Sequence, residues 1–503
     1  MFLKRMNWRI LILGGIIFYS YSPIHPFDMK TKNAILEIGS GANLVLKKSL
    51  SNFSGKIVKN SNANISGESI TFNDGILKEG DNENNLTGIF DTSDSSILLN
   101  GNKKFKAEKG KVLNSIKVSG HNNRLEGEPL LNLPIIIQDT NSSLTCAFAG
   151  KASNNIVLNG GTLYLDRDLL FIDDKLITGS GIVFCNDQRL AFGGTDLTWE
   201  GNIYFPQARD IELNAHLHLA ATWTFEGASM LCGNGNILYL ESGGSIVVRP
   251  ESSLLLKNIT IKNVSENKIR CLDDTGSLIF HDVRWIQDGN YSFTRGAFEV
   301  LGDLVFKGSY NFAYQTCKTS TIDAYSTLFL DTDFTFSYDP AIVSKELFEF
   351  EDASSVLYLN EATLHSTVTG LQLKKGTLVV EGTSYISSEK HTYHDDLIID
   401  EGITFGNDLV ADDFVCRILS GATLQVLQGS FVYRNMSGSS WKMIDRNSIL
   451  FVGSNSGLKL YQTLNLGNGK AIFNGQSILL KALNKYLLGP TSLQGVVIKG
   501  ALL

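Results

Sequence analysis

Tandem aspartates occur four times in this chain, at Asp173-Asp174, Asp273-Asp274, Asp395-Asp396 and Asp412-Asp413. Paired carboxylates can divide general acid and base roles in glycoside hydrolysis, or hold calcium through oxygen ligands. Aspartate is also a turn former, because its side chain hydrogen-bonds nearby backbone, and four pairs in one chain favour strand corners. His216-Leu217-His218 places two imidazoles on one face of a strand, and His391-Thr392-Tyr393-His394 repeats the idea in a polar segment. Either pair could join a metal centre with a third ligand. No cysteine or acid stands at matching sequence spacing, so solvent-facing polar side chains are the simpler reading, and neither metal nor cofactor is expected. The six cysteines (146, 185, 232, 271, 317 and 416) form no Cys-x-x-Cys pair, which leaves structural zinc and dithiol chemistry without support. An exported chain could pair them. Their wide spacing and apolar neighbours, as in Thr145-Cys146-Ala147-Phe148, fit small buried residues better. Trp199, Trp223, Phe225, Trp285, Tyr291 and Phe293 make either a sugar-stacking strip or the filling of a core. No nucleophile elbow, phosphate loop or dinucleotide fingerprint occurs in a strand-to-helix context. These motifs assign no catalytic, cofactor-binding or metal-binding residue.

Composition limits the partners. The chain has 503 residues, 44 Lys+Arg and 51 Asp+Glu, for a net charge of −7. That balance argues against nucleic acid and anionic membrane as main partners. Apolar residues make up 43%, enough for a large ordered core. Lys4, Arg5 and Arg9 precede an apolar run, Ile10 to Phe18, that fades into Tyr19-Ser20-Tyr21-Ser22. A basic start and a short apolar run describe an export signal. The run falls short of the roughly 20 residues that cross a bilayer as a helix. Pro23 after Ser22 is a poor cleavage context, so residues 1–28 are read as a signal peptide or an uncleaved N-terminal anchor. The expected location is secreted or cell-surface, with membrane contact only through that segment.

The elements that must position any site are short β-type runs. Asn43–Leu46, Gly161–Leu165, Ser245–Val248, Ile259–Ile261 and Thr377–Val380 are separated by Gly, Asn, Asp and Ser. Proline is rare, at 8 residues, as expected where most backbone N–H groups sit in ladders. Apolar anchors recur at Leu254, Leu278, Leu304, Leu328, Val356, Leu378, Ile403, Leu424, Ile449, Ile472 and Val496, a mean step of about 24. Gly-x-Gly followed by apolar residues recurs at Gly179, Gly233 and Gly467. A unit of that length holds about three short strands and cannot bury its own inward side chains. Stacked in parallel on its neighbours, it lines those side chains up in apolar columns. A string of antiparallel sandwiches is the competing architecture, but it predicts linkers near every hundred residues, and none is evident. Three segments break the rhythm: 340–350 reads as a short helix or inserted loop, 387–396 as a projecting polar loop, and 478–488 as a helical turn. A cap over the terminal coils is physically required, because bare strand edges invite pairing.

Gly243-Gly244-Ser245-Ile246-Val247-Val248 followed by Leu254-Leu255-Leu256-Lys257-Asn258-Ile259-Thr260-Ile261-Lys262-Asn263-Val264 resembles the coil of right-handed, pectin-lyase-like β-helix proteins. The resemblance implies an all-β, single-stranded, right-handed parallel β-helix (solenoid) of roughly 19 coils, and the handedness rests on the resemblance alone. It also makes Asn258 and Asn263 candidates for a corner asparagine ladder. It does not carry an active site. The polygalacturonase-type series Asn-Thr-Asp, Asp-Asp, Gly-His-Gly and Arg-x-Lys is not assembled: Gly120-His121-Asn122 precedes every Asp pair, and Lys268-Ile269-Arg270 is reversed. The pectate-lyase-type motifs fail at Trp285-Ile286-Gln287-Asp288 and Arg249-Pro250. The expected organisation is 29–145 as less regular N-terminal coils or a cap and 146–503 as the regular β-helix. The expected function is an exported, non-catalytic scaffold in surface adhesion or structure, with a glycan or other host- or cell-surface ligand as partner. The alternative is a diverged polysaccharide lyase or glycoside hydrolase, which requires Asp273, Asp274, Asp288 and Arg284 to converge in one groove.

Overall fold

The computed structural model describes residues 9–12, 16–17, 35–46, 49–79, 82–93, 95–109, 113–127, 130–131, 133–148, 150–340, 347–368, 371–388, 393–394, 397–398, 403–405, 414–434, 441–474, 478–480, 487–494 and 498–500. Among these residues every regular element is a strand, and the strands wind into a right-handed parallel β-helix of about 18 turns. The chain divides into two compact units, Met1–Thr224 and Phe225–Leu503.

In the first unit each circuit lays a strand of alternating residues over the same strand of the circuit before. Ile97, Ile116, Ile135, Ile156 and Ile177 are register partners in succession and are all completely buried. Their spacings are only 19 to 21 residues, shorter than the period of 24 read from the C-terminal part of the sequence. On another face Ala152, Phe171, Phe192 and Leu213 form a second column, with the two phenyl rings stacked at 5.5 Å. Branched and aromatic side chains suit such positions because they pack well against neighbours on a pleated, buried surface, where a stiff χ1 is no handicap.

One circuit of this unit is not parallel. Ile70–Glu79 pairs in parallel with Leu50–Phe53 and Lys56–Lys59, but its other edge carries Asn82–Asp91 in antiparallel register. Asn82–Asp91 then pairs antiparallel with Ser96–Asn100 and Lys104–Lys109. Only residues 80 and 81 separate the first two strands, and a parallel pair needs a crossover far longer than that. The ladder stays continuous because a reversed strand still offers N–H and C=O groups on both edges. At the other end of the unit, Arg9–Ile12 and Ile16–Ile17 pair in parallel with Ile35–Ile38 and Leu44–Val45. The apolar run expected to direct export therefore includes strands laid along the first coil.

In the second unit the long strands Ser253–Val264 and Ser277–Gln287 each turn a corner within themselves. The corner residues are Asn258 (φ 45°) and Asp282 (φ 58°), and Asn263 (φ 61°) also sits in the left-handed region. Asn and Asp tolerate positive φ better than other side-chain-bearing residues. In the register of the two strands Asn258 faces Asp282, so the expected ladder is not a run of asparagines here.

The anchors chosen from the sequence divide among faces. Leu254 stacks on Leu278 and then Phe298. Leu304 belongs to a different column, Ile259–Val283–Leu304–Leu328–Leu357–Leu378–Cys416–Trp441. Leu278, Leu304 and Leu328 therefore do not make one column; only the last two do. Val356 and Ile449 point outward, one residue before the column members Leu357 and Leu450. Three strands per circuit, each with period-two alternation, offer several nearly equivalent alignments to a reader of sequence. Circuits here run from 21 to 29 residues, and from Leu378 to Cys416 the step is 38. That long step holds the antiparallel pair Tyr393–His394 and Leu397–Ile398. Phe348–Phe350, Ile478–Leu480 and Leu487–Leu488 are strands where a short helix, a loop or a helical turn was expected, and the rest of those two segments, 341–346 and 481–486, lies outside the described residues.

Candidate ligand-binding recess

Ile269–Cys271 closes a parallel pair with Ser245–Val248, and one circuit later Tyr291–Phe293 opens a new pair with Asn311–Tyr314. No ladder joins Ile269–Cys271 to Tyr291–Phe293. Tyr291 explains the gap. Its ring is 1% exposed, and a buried phenol must find an acceptor. The hydroxyl donates to the Ile269 carbonyl, a group that would otherwise accept from backbone across a ladder. Arg295 bridges the gap in the same way, its Nη1 donating to the Leu272 carbonyl at 2.6 Å. Side chains thus satisfy backbone acceptors between these circuits.

The gap leaves a recess of about 250 Å³. Buried Ile269, Cys271, Tyr291 and Phe293 supply its apolar surface, and Asn267, Arg270, Ser292, Thr294 and Arg295 its polar groups. Gly296 (φ 85°) sets the corner beside it, where a Cβ would lie 2.6 Å from the Gly276 carbonyl oxygen and 2.8 Å from Cys271 Sγ.

The recess carries two cations, one of them near the Asp273 carboxylate. Arg270 and Arg295 are exposed, and no carboxylate lies within 4 Å of either guanidinium. Arg124 pairs with Glu126 and Asp166, Arg189 with Asp168 and Glu212, Arg209 with Asp187 and Arg249 with Glu226, whereas Arg167, Arg284, Arg417 and Arg446 are exposed and without an ion pair, like Arg270 and Arg295. Arg270 Nη1 donates to the Asn267 carbonyl at 2.9 Å, leaving the rest of its fork unused. Asp273, whose carboxylate feels the charge of Arg295, is already engaged by the Thr275 hydroxyl at 2.7 Å and the Thr275 N–H at 2.9 Å; these bonds hold its carboxyl below the usual range. Burial pushes the Cys271 thiol up to about 12, with Asp273 adding to the effect, and raises the Tyr291 phenol well above its ordinary value. At neutral pH the recess therefore presents two cations, a neutral thiol and a neutral phenol. That set can hold an anion; it has no group poised to move a proton near pH 7.

The residues singled out from sequence are dispersed. Asp173 and Asp174 both have positive φ (56° and 58°), and Asp174 Oδ1 accepts the Thr195 N–H at 2.6 Å. Asp274 accepts from the Gly296 N–H at 3.4 Å and from Cys317 Sγ at 3.2 Å. Both pairs are corners. Asp273 and Asp274 precede the Ser277–Gln287 strand, Arg284 projects from its second half, and Asp288 follows it, so the four residues do not converge. Asp395, Asp396, Asp412, Asp413 and His391 lie outside the described residues. His216 and His218 do share the outward face of their strand, and His218 Nε2 lies 3.2 Å from Asp196. Among the described residues no group of three or more His, Cys, Asp and Glu is placed to hold a metal. The six aromatic residues are core: Trp199, Trp223, Trp285, Tyr291, Phe225 and Phe293 are at most 2% exposed. All six cysteines are free, four of them buried.

Sequence reasoning noticed Arg270 only as part of a reversed motif and passed over Arg295. Both line the recess from successive circuits, Arg270 reaching back to the Asn267 carbonyl and Arg295 to the Leu272 carbonyl. No family model matches this chain, and neither a curated protein nor a solved structure matches it.

Proposed function

We propose that this protein is an exported, non-catalytic β-helix scaffold that acts in surface adhesion by holding ligand-binding side chains on a rigid lateral face. The observation that carries the reading is the recess between two circuits, where two arginines and the polar groups of Asn267, Ser292 and Thr294 line one lateral opening. Backbone ladders fix the outward positions around it, which preorganises a binding surface at little entropic cost. The basic and apolar N-terminal residues support export. The partner is a glycan or another cell-surface ligand, in keeping with polar outward positions and an acidic chain that does not favour nucleic acid. The enzyme alternative gains nothing from Asp273, Asp274, Asp288 and Arg284, which are spread along and around one strand.

Two measurements test this. Fractionation of cells expressing the full chain should find it in the medium or on the surface, and removal of residues 1–28 should retain it inside. Purified protein applied to a glycan array and to a panel of acidic and neutral polysaccharides should bind without shortening them. Retention of the full chain in the cytoplasm, or steady depolymerisation of any polysaccharide, overturns the proposal.

A further inference from the structure

We infer that one lateral face of the second unit binds a neutral, extended polysaccharide lying along the solenoid, on an uncharged strip continuous with the recess. The inference rests on the adhesion reading and names its ligand. Two outward columns make the strip. In the first, Asn311, Thr335, Thr363, Tyr385 and Gln425 are register partners over five successive circuits, each half-buried. The second runs beside it from Ala313 through Ser337, His365 and Ser387 to Gln428. Ser292, which lines the recess, stands at its head. Between the columns Phe312, Phe336, Leu364, Ile386 and Val426 point inward and are at most 2% exposed, so the strip is the outer surface of a packed sheet.

Neither column holds Lys, Arg, Asp or Glu. Among the described residues, the other outward columns of this unit whose register pairs run through five or more circuits each hold at least one. They carry Glu299 and Glu349, Arg284 and Arg417, Asp303, or Lys459. The second column is braced from within: Ser337 donates to Asn311 Oδ1 at 2.6 Å, and Ser387 shares a hydrogen bond of 2.6 Å with His365 Nδ1. The first is open. Among the described residues Thr335, Thr363, Tyr385 and Gln425 form no side-chain hydrogen bond, on four circuits in succession. Hydroxyls and amides both donate and accept, as sugar hydroxyls do. A neutral ring covering them strands no charge away from water.

The borders exclude an acidic polymer. Asp333 and Glu361 stand two residues before Thr335 and Thr363, exposed at corners with φ of 63° and 52°. Asp339 stands two residues after Ser337 and accepts from Gln315 and Thr367. Like charges brought together across an interface oppose binding. The polar run ends where Gln425 meets Phe451. Five rungs at about 4.8 Å span roughly 19 Å. A chain that stays straight over that length reaches every rung, and affinity rises with each added sugar because the contacts are tethered to one another.

The test is calorimetry on purified full-length protein with cellohexaose, cellobiose, β-1,4-mannohexaose and hexagalacturonate. At least one neutral hexasaccharide should bind saturably, tenfold or more tighter than cellobiose and than hexagalacturonate. The double variant Thr335→Val, Thr363→Val keeps side-chain shape and removes two hydroxyls. It should melt as the parent does and weaken that hexasaccharide tenfold or more. Gln425→Ala should weaken it about threefold, and Thr327→Val, on another face, should leave binding unchanged. Absence of saturable binding by both neutral hexasaccharides overturns the inference. So does equal binding of cellobiose or of hexagalacturonate, or binding insensitive to the double variant. Cell binding measured in parallel separates the two claims: adhesion that survives the double variant sinks the strip and leaves the scaffold standing. Hexasaccharide binding by a protein that adheres to no cell does the reverse.

Discussion

Carboxylates in this fold titrate in two opposed ways. Asp352 and Asp445 sit at exposed corners, like Asp273. Asp352 accepts the Ser354 hydroxyl and N–H, and Asp445 accepts the Ser420 hydroxyl and the Asn447 N–H. These bonds hold both carboxyls below their ordinary value. A carboxyl with a lowered folded-state pKa adds stability above its unfolded value, and that stability is lost as pH falls through the folded value. Glu299 and Asp323 behave oppositely: burial raises both, with Asp323 adding to Glu299 and Glu351 adding to Asp323. Their ionisation opposes folding at neutral pH, and protonation relieves the opposition as pH falls. Glu299→Gln should therefore melt higher than the parent at pH 7, with the gap closing toward pH 4; Asp352→Asn should melt lower at pH 7, with its gap closing only below pH 4. Thermal melts across pH 3–8 decide both, and parallel curves for either variant refute its assignment. Thiol chemistry gives a separate check. Burial pushes Cys146, Cys185 and Cys271 up to about 12 and raises Cys416 further, while Cys232 and Cys317 are partly exposed. A thiol reagent at pH 8 should reach at most two sites in the native protein and six in denaturant; fewer than six in denaturant would reveal a disulfide.

Within the strands, stability resides in the columns. Ile135 lies inside the five-isoleucine column with no exposure. Ile135→Ala removes buried methyl and methylene groups between two neighbours that cannot close the space, and should cost about 2–5 kcal/mol. Ile135→Val should cost about 0.5–1.5 kcal/mol. Urea titrations of the two variants measure this, and equal midpoints for parent and Ile135→Ala would show that the column is not packed. This level of structure was the part legible in sequence, since alternation within strands and recurrence between them come from the same burial requirement. What stayed hidden came from pairing. The reversed strand Asn82–Asp91 begins only three positions after Glu79, and so short an interval carries little weight in sequence against a whole repeat. Val356 recurs as an apolar anchor in sequence yet points outward, because a shift of one position exchanges the faces of a strand. The recess needed still more, because Tyr291 reads as one more core aromatic until its hydroxyl is seen to take the Ile269 carbonyl and hold two circuits apart.

At the scale of the molecule, a solenoid is stabilised by contacts between successive circuits, so each circuit is a nearly interchangeable unit. Length and register then become separable. In the second unit Leu304 faces Leu328 exactly one circuit later, as Asp303 faces Thr327 and Phe306 faces Leu330. Removal of residues 304–327 deletes one full circuit, with its share of all three faces, and places Leu328 over Val283 where Leu304 had been. The third face closes equally well, since Phe336 then takes the place of Phe312 above Tyr291. Inward residues still meet inward residues, and each backbone edge still finds a parallel partner. Removal of 304–315 deletes about half a circuit and sets the strands of one face against the corners of the next. The first deletion should keep the far-UV spectrum of a β protein and a cooperative melt. The second should lose the cooperative melt and aggregate through unpaired edges. If both deletions melt alike, the faces are not held by circuit register, and the columns traced through this unit do not determine its fold.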